Sequence, residues 1–369
     1  MRNDRGAAVN VAVTSALREP QALPGWTSPQ WEALVRQARS ANLLSRLAAV
    51  AEDAGVLPQV PAAPRAHLEA ARVVSQAHAE AVRREVTQLR KALASTGIDI
   101  ILLKGAAYLY AGLPAARGRL FSDVDILVPG AALAEVEAAL MQHGWATTHH
   151  NAYDQRYYRR WMHELPPLRH VSRQTVLDVH HAILPPTARL KPDSAKLLAA
   201  SRAVSGEPRL RLLAPADLVL HSAAHLFFNE DLGSGLRDLV DLDSLLRDFG
   251  RPPEFWPELS ARAVELDLAR PFYYALRYCR RMLDTPMPEH ALRAAETGRP
   301  PLGLHRLMDA VFLRALQPQQ RGVPDRLAPL ARQWLYVRAH WLRMPPLLLA
   351  CHLTVKALRR QEEGTVPGR

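Results

Sequence analysis

Cysteine is nearly absent: Cys279 and Cys351 are the only two in 369 residues. Two thiols cannot build a disulfide framework, and neither stands at a metal-ligand spacing, so a stapled secreted scaffold and a cysteine-based zinc module are excluded. Long apolar runs are missing as well. The longest, Pro345 to Val355, falls far short of the ~20 residues a spanning helix needs, and polar residues interrupt the N-terminus before a signal-peptide core could form. These absences predict a soluble, cytoplasmic chain with no transmembrane segment. Lysine is scarce too. Only Lys91, Lys104, Lys191, Lys196 and Lys356 contribute to the 47 basic residues, so the net charge of +11 is almost wholly arginine.

What is present is an ordinary core-forming composition, 48% hydrophobic with 22% charged residues, in a chain too long for one average domain. The basic excess avoids the middle. Residues 1–95 carry +4, residues 96–186 carry 0 and residues 187–369 carry +7, of which +6 lies beyond residue 320. There Arg326, Arg332, Arg338 and Arg343 alternate with Trp334, Tyr336 and Trp341, but spacings of six, six and five do not hold one helix face. The expectation is a solvated helical surface over buried aromatics, and a nucleic-acid partner is not favoured.

Periodicity divides the chain into three: an N-terminal helical region (1–95), a mixed core (96–186) and a C-terminal helical domain (187–369), without a repeat of fixed period. Val82, Val86, Leu89 and Leu93 form one helical stripe, behind a Pro-rich joint at 57–64. Ile98 to Leu103 and Phe121 to Val128 read as buried strands, Ala131 to His143 as a helix, and Trp145–His150, Met162–His170 and Thr175–Ile183 as extended segments. After Pro186 the pattern reads as helix throughout, ending with a predicted helix over Leu347–Arg360.

The chemistry concentrates in the core. Side chains alternate along a strand, so Asp123 and Asp125 project from one face while Val124, Ile126 and Val128 enter the core behind. Paired carboxylates repel unless something offsets them, and a divalent cation is the usual answer. Gly105 ends the preceding strand at a turn whose backbone N–H groups would suit a triphosphate. A third carboxylate, Asp178, sits in the apolar strand Thr175-Val-Leu-Asp-Val-His, with His180 on its face. Six of the fifteen histidines (149, 150, 163, 170, 180 and 181) crowd this half of the core, yet no ligand spacing selects a zinc set from them. His221 and His225, four apart on one helix face, read as core packing.

Ile101-Leu-Leu-Lys-Gly-Ala-Ala, Arg119-Leu-Phe-Ser-Asp-Val-Asp and the Asp178 strand together resemble the polymerase-β-type nucleotidyltransferase superfamily, and within it a family of uncharacterised bacterial nucleotidyltransferases. The likeness continues into His225 and Arg237-Asp238-Leu-Val-Asp241. It implies an α+β fold: a minimal nucleotidyltransferase core with a mixed sheet, between N-terminal helices and a C-terminal helical domain. It further implies that Asp123, Asp125 and Asp178 hold Mg²⁺ or Mn²⁺. Lys104, Gly105, Ala106, Arg119, Ser122 and His180 would contact the nucleotide. Asp238 and Asp241, one turn apart, read by themselves as capping, pairing with Arg237 or Arg247, or facing solvent, and the resemblance implies that they line the acceptor side. The reaction implied is transfer of a nucleoside monophosphate, by default AMP from ATP, to an acceptor that is a small molecule or a protein. The alternatives are a catalytically silent binding or sensing module and an antitoxin-like enzyme that modifies a protein partner.

Overall fold

The computed structural model describes residues 12–148, 152–228, 231–318 and 325–345. Four helices come first: α1 (Ala12–Arg18), α2 (Ser28–Ser40), α3 (Leu44–Asp53) and α4 (Ala62–Ala92). Thr27 and Gln30 close a capping box on α2, Gln30 Oε1 accepting from the Thr27 amide at 2.8 Å. The Pro-rich joint becomes a short 3₁₀ turn and the first turn of α4, where proline forfeits no helical hydrogen bond. With 31 residues α4 runs roughly 45 Å. Val82, Val86, Leu89 and Leu93 are all buried, as their stripe predicts.

The core follows as β1 (Ile100–Leu102), α5 (Lys104–Tyr110), β2 (Val124–Leu127), α6 (Leu133–Gln142), β3 (Trp145–Thr147), α7 (Ala152–Trp161), β4 (Leu168–His170) and β5 (Val176–His180). Helix α8 (Ser194–Ala200) leads to β6 (Arg202–Ala203) and β7 (Leu210–Leu212). The seven strands form one mixed sheet in the order β3-β4-β5-β2-β1-β7-β6, with β2/β5 and β1/β7 parallel and the other pairs antiparallel. The α+β class is therefore as expected.

Two readings need correction. The stretch after Pro186 is not helical throughout, because β6 and β7 extend the sheet beyond β1; at two and three residues they are too short to show alternation. The run Met162–His170 forms a strand only over its last three residues, with an isolated bridge at Glu164 before it.

Helices α9 (Pro215–Phe228), α10 (Gly235–Phe249), α11 (Phe255–Glu265), α12 (Ala269–Leu283), α13 (Glu289–Ala295), α14 (Leu302–Ala315) and α15 (Ala328–Arg343) complete the described chain. Twelve of the fourteen residues of α9 are buried, so it is the hub of this part, packing on α10, α11 and α12. Phe227, Tyr274, Tyr278 and Phe312 pack with ring centroids 5.2–5.9 Å apart. On α15 the expected arrangement is inverted. Its buried stripe is Ala331, Leu335 and Ala339, which leaves Trp334, Tyr336 and Trp341 exposed, whereas Arg338 lies over Phe228, Tyr274 and Phe312 and donates to the Phe227 carbonyl at 2.9 Å. Cys279 is buried and free, while Cys351 and the predicted helix 347–360 lie outside the described residues. Among the described residues no helix is long and apolar enough to cross a membrane.

Candidate active site

The site grows from the pairing of β2 with β5. Their parallel register sets Asp125 beside Asp178, Ile126 beside Val179 and Leu127 beside His180. Val124, Ile126, Leu177 and Val179 are buried on the core side of the sheet, so hydrophobic burial on that face holds the two carboxylates together on the other. Asp123 lies just before β2, half-buried, and accepts from the exposed Ser122 hydroxyl at 2.9 Å.

Asp125, only 3% exposed, accepts on one oxygen, Oδ1, from Lys104 Nζ at 2.7 Å and from His180 Nε2–H at 3.1 Å. Burial alone would push this carboxyl up. The Lys104 ammonium, seconded by His180, overrides it and holds Asp125 well below the usual carboxylate range. Burial likewise works against the charge on Lys104, and Asp125 more than restores it. Lys104 occupies the turn after β1 with φ +46°, a left-handed conformation that costs a side-chain-bearing residue about 1 kcal/mol or more. The Leu103 amide, bonded to the Asp125 carbonyl at 3.0 Å, pins the same turn to β2.

Asp178 is held in the opposite state. Its Oδ1 is buried without a hydrogen-bond partner, and burial, followed by the charges of Asp125, Glu164 and Asp123, pushes its carboxyl up to about 7. Three carboxylates on one sheet face, one of them with an orphaned oxygen, form a donor set that suits a hard divalent cation.

A cavity of about 220 Å³ opens beside these strands, lined by Lys104, Ser122 and Asp123 on one side and by His225, Asp238 and Asp241 on the other. Its walls are tied together. Arg119, expected as a phosphate contact, donates from Nε to Asp241 Oδ2 at 2.9 Å, and Arg46 of α3 reaches Asp241 Oδ1 at 3.1 Å. Arg46 also donates to the carbonyls of Pro114, at 2.5 Å, and Ala115, so the N-terminal helices brace the long loop between α5 and β2. Asp238 pairs with Arg237 at 2.8 Å. Ser222 spends its proton on the Leu218 carbonyl at 2.7 Å, which makes Tyr108 the donor in their 2.6 Å contact.

Gly105 has a structural reason of its own. A Cβ there would stand 2.2 Å from a guanidinium nitrogen of Arg119, so the turn is glycine where Arg119 lies against it. Gly105→Ala should displace Arg119 and lower stability by roughly 1–3 kcal/mol, measurable by urea unfolding. The Ala106 side chain is buried, so only its backbone could face a nucleotide.

Sequence reasoning missed Glu164. It pairs antiparallel across from His180, fixed by the Leu165 amide on the Val179 carbonyl and the His181 amide on the His163 carbonyl, each at 2.9 Å. Its Oε2 lies 3.3 Å from His180 Nδ1. The His163-Glu164 dipeptide was its only local signal.

His221 is buried with Nδ1 unpartnered, and burial, followed by the Lys104 charge, lowers it to about 3; the same two causes hold His225 well below its ordinary value. Both are neutral at neutral pH. For His221 the folded pKa lies below the unfolded one, so its contribution is intact above about pH 6.5 and shrinks as pH falls toward 3. His221→Leu should therefore be more stable than wild type at pH 4 by roughly 2–3 kcal/mol and differ little at pH 8, read from thermal melts.

A family model described as "Uncharacterised nucleotidyltransferase" matches residues 27–284, from the start of α2 to the end of α12. No curated protein and no solved structure matches the chain.

Proposed function

The chain belongs to the uncharacterised nucleotidyltransferase family, and from that premise we propose a metal-dependent transfer of a nucleoside monophosphate from a nucleoside triphosphate, ATP by default, to a small-molecule or protein acceptor. The observation that carries it is the register of Asp125 beside Asp178, with Asp123 and Lys104 at the mouth of one cavity. Asp123, Asp125 and Asp178 would hold Mg²⁺ or Mn²⁺, which supplies neutralisation of charge on the transferring phosphoryl group. The acceptor oxygen attacks the α-phosphorus, and a new P–O bond forms as the bond to the bridging oxygen breaks. Pyrophosphate leaves with the electron pair.

Asp178, whose buried Oδ1 has no hydrogen-bond partner, would help hold the metal that activates the attacking group, and the acceptor's proton passes to solvent. Lys104 keeps Asp125 ionised and offers its ammonium to the phosphates on the cavity side. His180, bonded to Asp125, orients that carboxylate; Arg119 positions the α10 wall through Asp241. The test is incubation of the protein with each α-labelled nucleoside triphosphate and Mg²⁺ or Mn²⁺ in host lysate. Label should appear in one fraction with wild type and disappear with Asp123→Asn; no Asp123-dependent label in any fraction would overturn the proposal.

The 2.7 Å bond from Lys104 to Asp125 favours one second reading, a silent module in which the ammonium stands where a cation would. That reading expects nucleotide binding by calorimetry, no label transfer, and a biological phenotype that survives Asp123→Asn.

A further inference from the structure

Beside the carboxylates, and sharing His180 with their face of the sheet, lies a second cluster of ligand-type side chains. His163, Glu164 and His180 each present a ligand atom, and those atoms all lie within 4.8 Å of one another; among the described residues they are the one group of three that closes to this degree. The three aspartates form no such group. Glu164 Oε2 sits 3.3 Å from His180 Nδ1 and 3.9 Å from His163 Nε2, and the two imidazole rings are 5.3 Å apart. The ring nitrogens are underused: Nδ1 of His163 and Nδ1 of His180 are both buried without a hydrogen-bond partner, in residues 9% and 3% exposed. A buried polar atom left unbonded costs about 1–3 kcal/mol, so His180 Nδ1, stranded beside the Glu164 carboxylate with His163 Nε2 on its other side, calls for an occupant.

We propose that His163, Glu164 and His180 form a transition-metal site, best suited to Zn²⁺, distinct from the three-aspartate set. Two imidazoles and one carboxylate are ligands of borderline hardness, which select zinc over magnesium, and three protein ligands leave a fourth position for water. Glu164 retains 18% of its side-chain exposure, which gives the ion a way in.

The placement of His180 gives the site a consequence. A metal on Nδ1 fixes the tautomer with the proton on Nε2, and that Nε2–H is the donor to Asp125 Oδ1. Carboxylate, imidazole and metal then stand in line, the arrangement by which an outer carboxylate orients a metal-bound histidine. Read from the other end, the metal orients Asp125. Binding of the ion stands independently of the nucleotidyl-transfer reading; only the effect on Asp125 rests on it.

The experiment is calorimetric titration of chelator-treated, full-length protein with Zn²⁺ in excess Mg²⁺, with Co²⁺ absorption as a ligand-field probe. Wild type should take up one zinc per chain and give a tetrahedral or five-coordinate cobalt spectrum without a thiolate band. His163→Phe and Glu164→Gln should each weaken binding more than tenfold. Asp123→Asn should leave it unchanged, whether or not any nucleotide is transferred. Absence of stoichiometric zinc in wild type, binding unaffected by His163→Phe and Glu164→Gln, or binding lost with Asp123→Asn would each overturn the site. Circular dichroism of the metal-free variants separates loss of ligand from loss of fold, and the cobalt spectrum of wild type needs no variant at all.

Discussion

Asp178→Asn is expected to move activity and stability in opposite directions. Transfer should fall by roughly 10²–10³-fold, the range associated with loss of one charge-stabilising group at the reacting centre. Yet the metal-free protein should become more stable above neutral pH. Asp178 is pushed above its unfolded value, so the folded chain holds that proton more tightly. Its contribution is full below about pH 4, shrinks as pH rises toward about 7, and beyond that the ionised carboxylate is a standing penalty beside Asp125. An asparagine amide keeps the shape and removes the charge. The gain in chelator at pH 8 should be on the order of 2 kcal/mol, allowing for the partial exposure of the group, and should vanish near pH 4. Thermal melts of both proteins across that range, with the transfer assay alongside, check it. A variant destabilised at pH 8 would show that Asp178 has a partner in the folded state after all.

The largest loss of stability should come from Asp241→Asn. Asp241 compensates two guanidinium groups, Arg46 and Arg119, whose side chains are nearly inaccessible. Removing its charge leaves two buried cations facing each other across a neutral amide, which should cost about 3–5 kcal/mol in urea unfolding. Replacing the whole group, Arg46→Met with Arg119→Met and Asp241→Leu, should restore most of that, because no buried charge is then left uncompensated. The triple variant should still lose transfer. Arg46 anchors the Pro114–Ala115 turn and Arg119 lines the cavity, so the loop entering β2 would no longer be held at that place.

These two residues also mark how far the sequence could be read. Asp178 was legible because it interrupts an apolar β-branched run, a conflict visible in five consecutive residues. Its state was not, since the pressure on its carboxyl comes from Asp125, Glu164 and Asp123, brought together only by the sheet. Asp241 could be read as an arginine partner, but of its helix neighbours Arg237 and Arg247, which instead pair with Asp238 and Asp243; its own two arginines lie 122 and 195 residues away. Strands β1, β2 and β5 announced themselves through apolar runs rich in Ile, Val and Leu. Strands β6 and β7 did not, because their extended form comes from pairing beside β1 rather than from local preference. On α15 the error had a clear cause: aromatic side chains were assumed to seek the core, whereas alanine and leucine spacing decided which face packed.

The parallel pairing of β2 with β5 has a consequence for how the chain is made. A translating ribosome delivers Asp123 and Asp125 first, and Asp178 only 53 residues later, with β7, the other neighbour of β1, later still. Until then Asp125 has no strand on which its neighbour can stand, and a one-residue slip on arrival would bury Asp178 and turn Leu177 outward. Contacts of such long separation form late. A truncated or misregistered product would therefore lack the paired carboxylates altogether, so that the two aspartates become neighbours only once the sheet is complete.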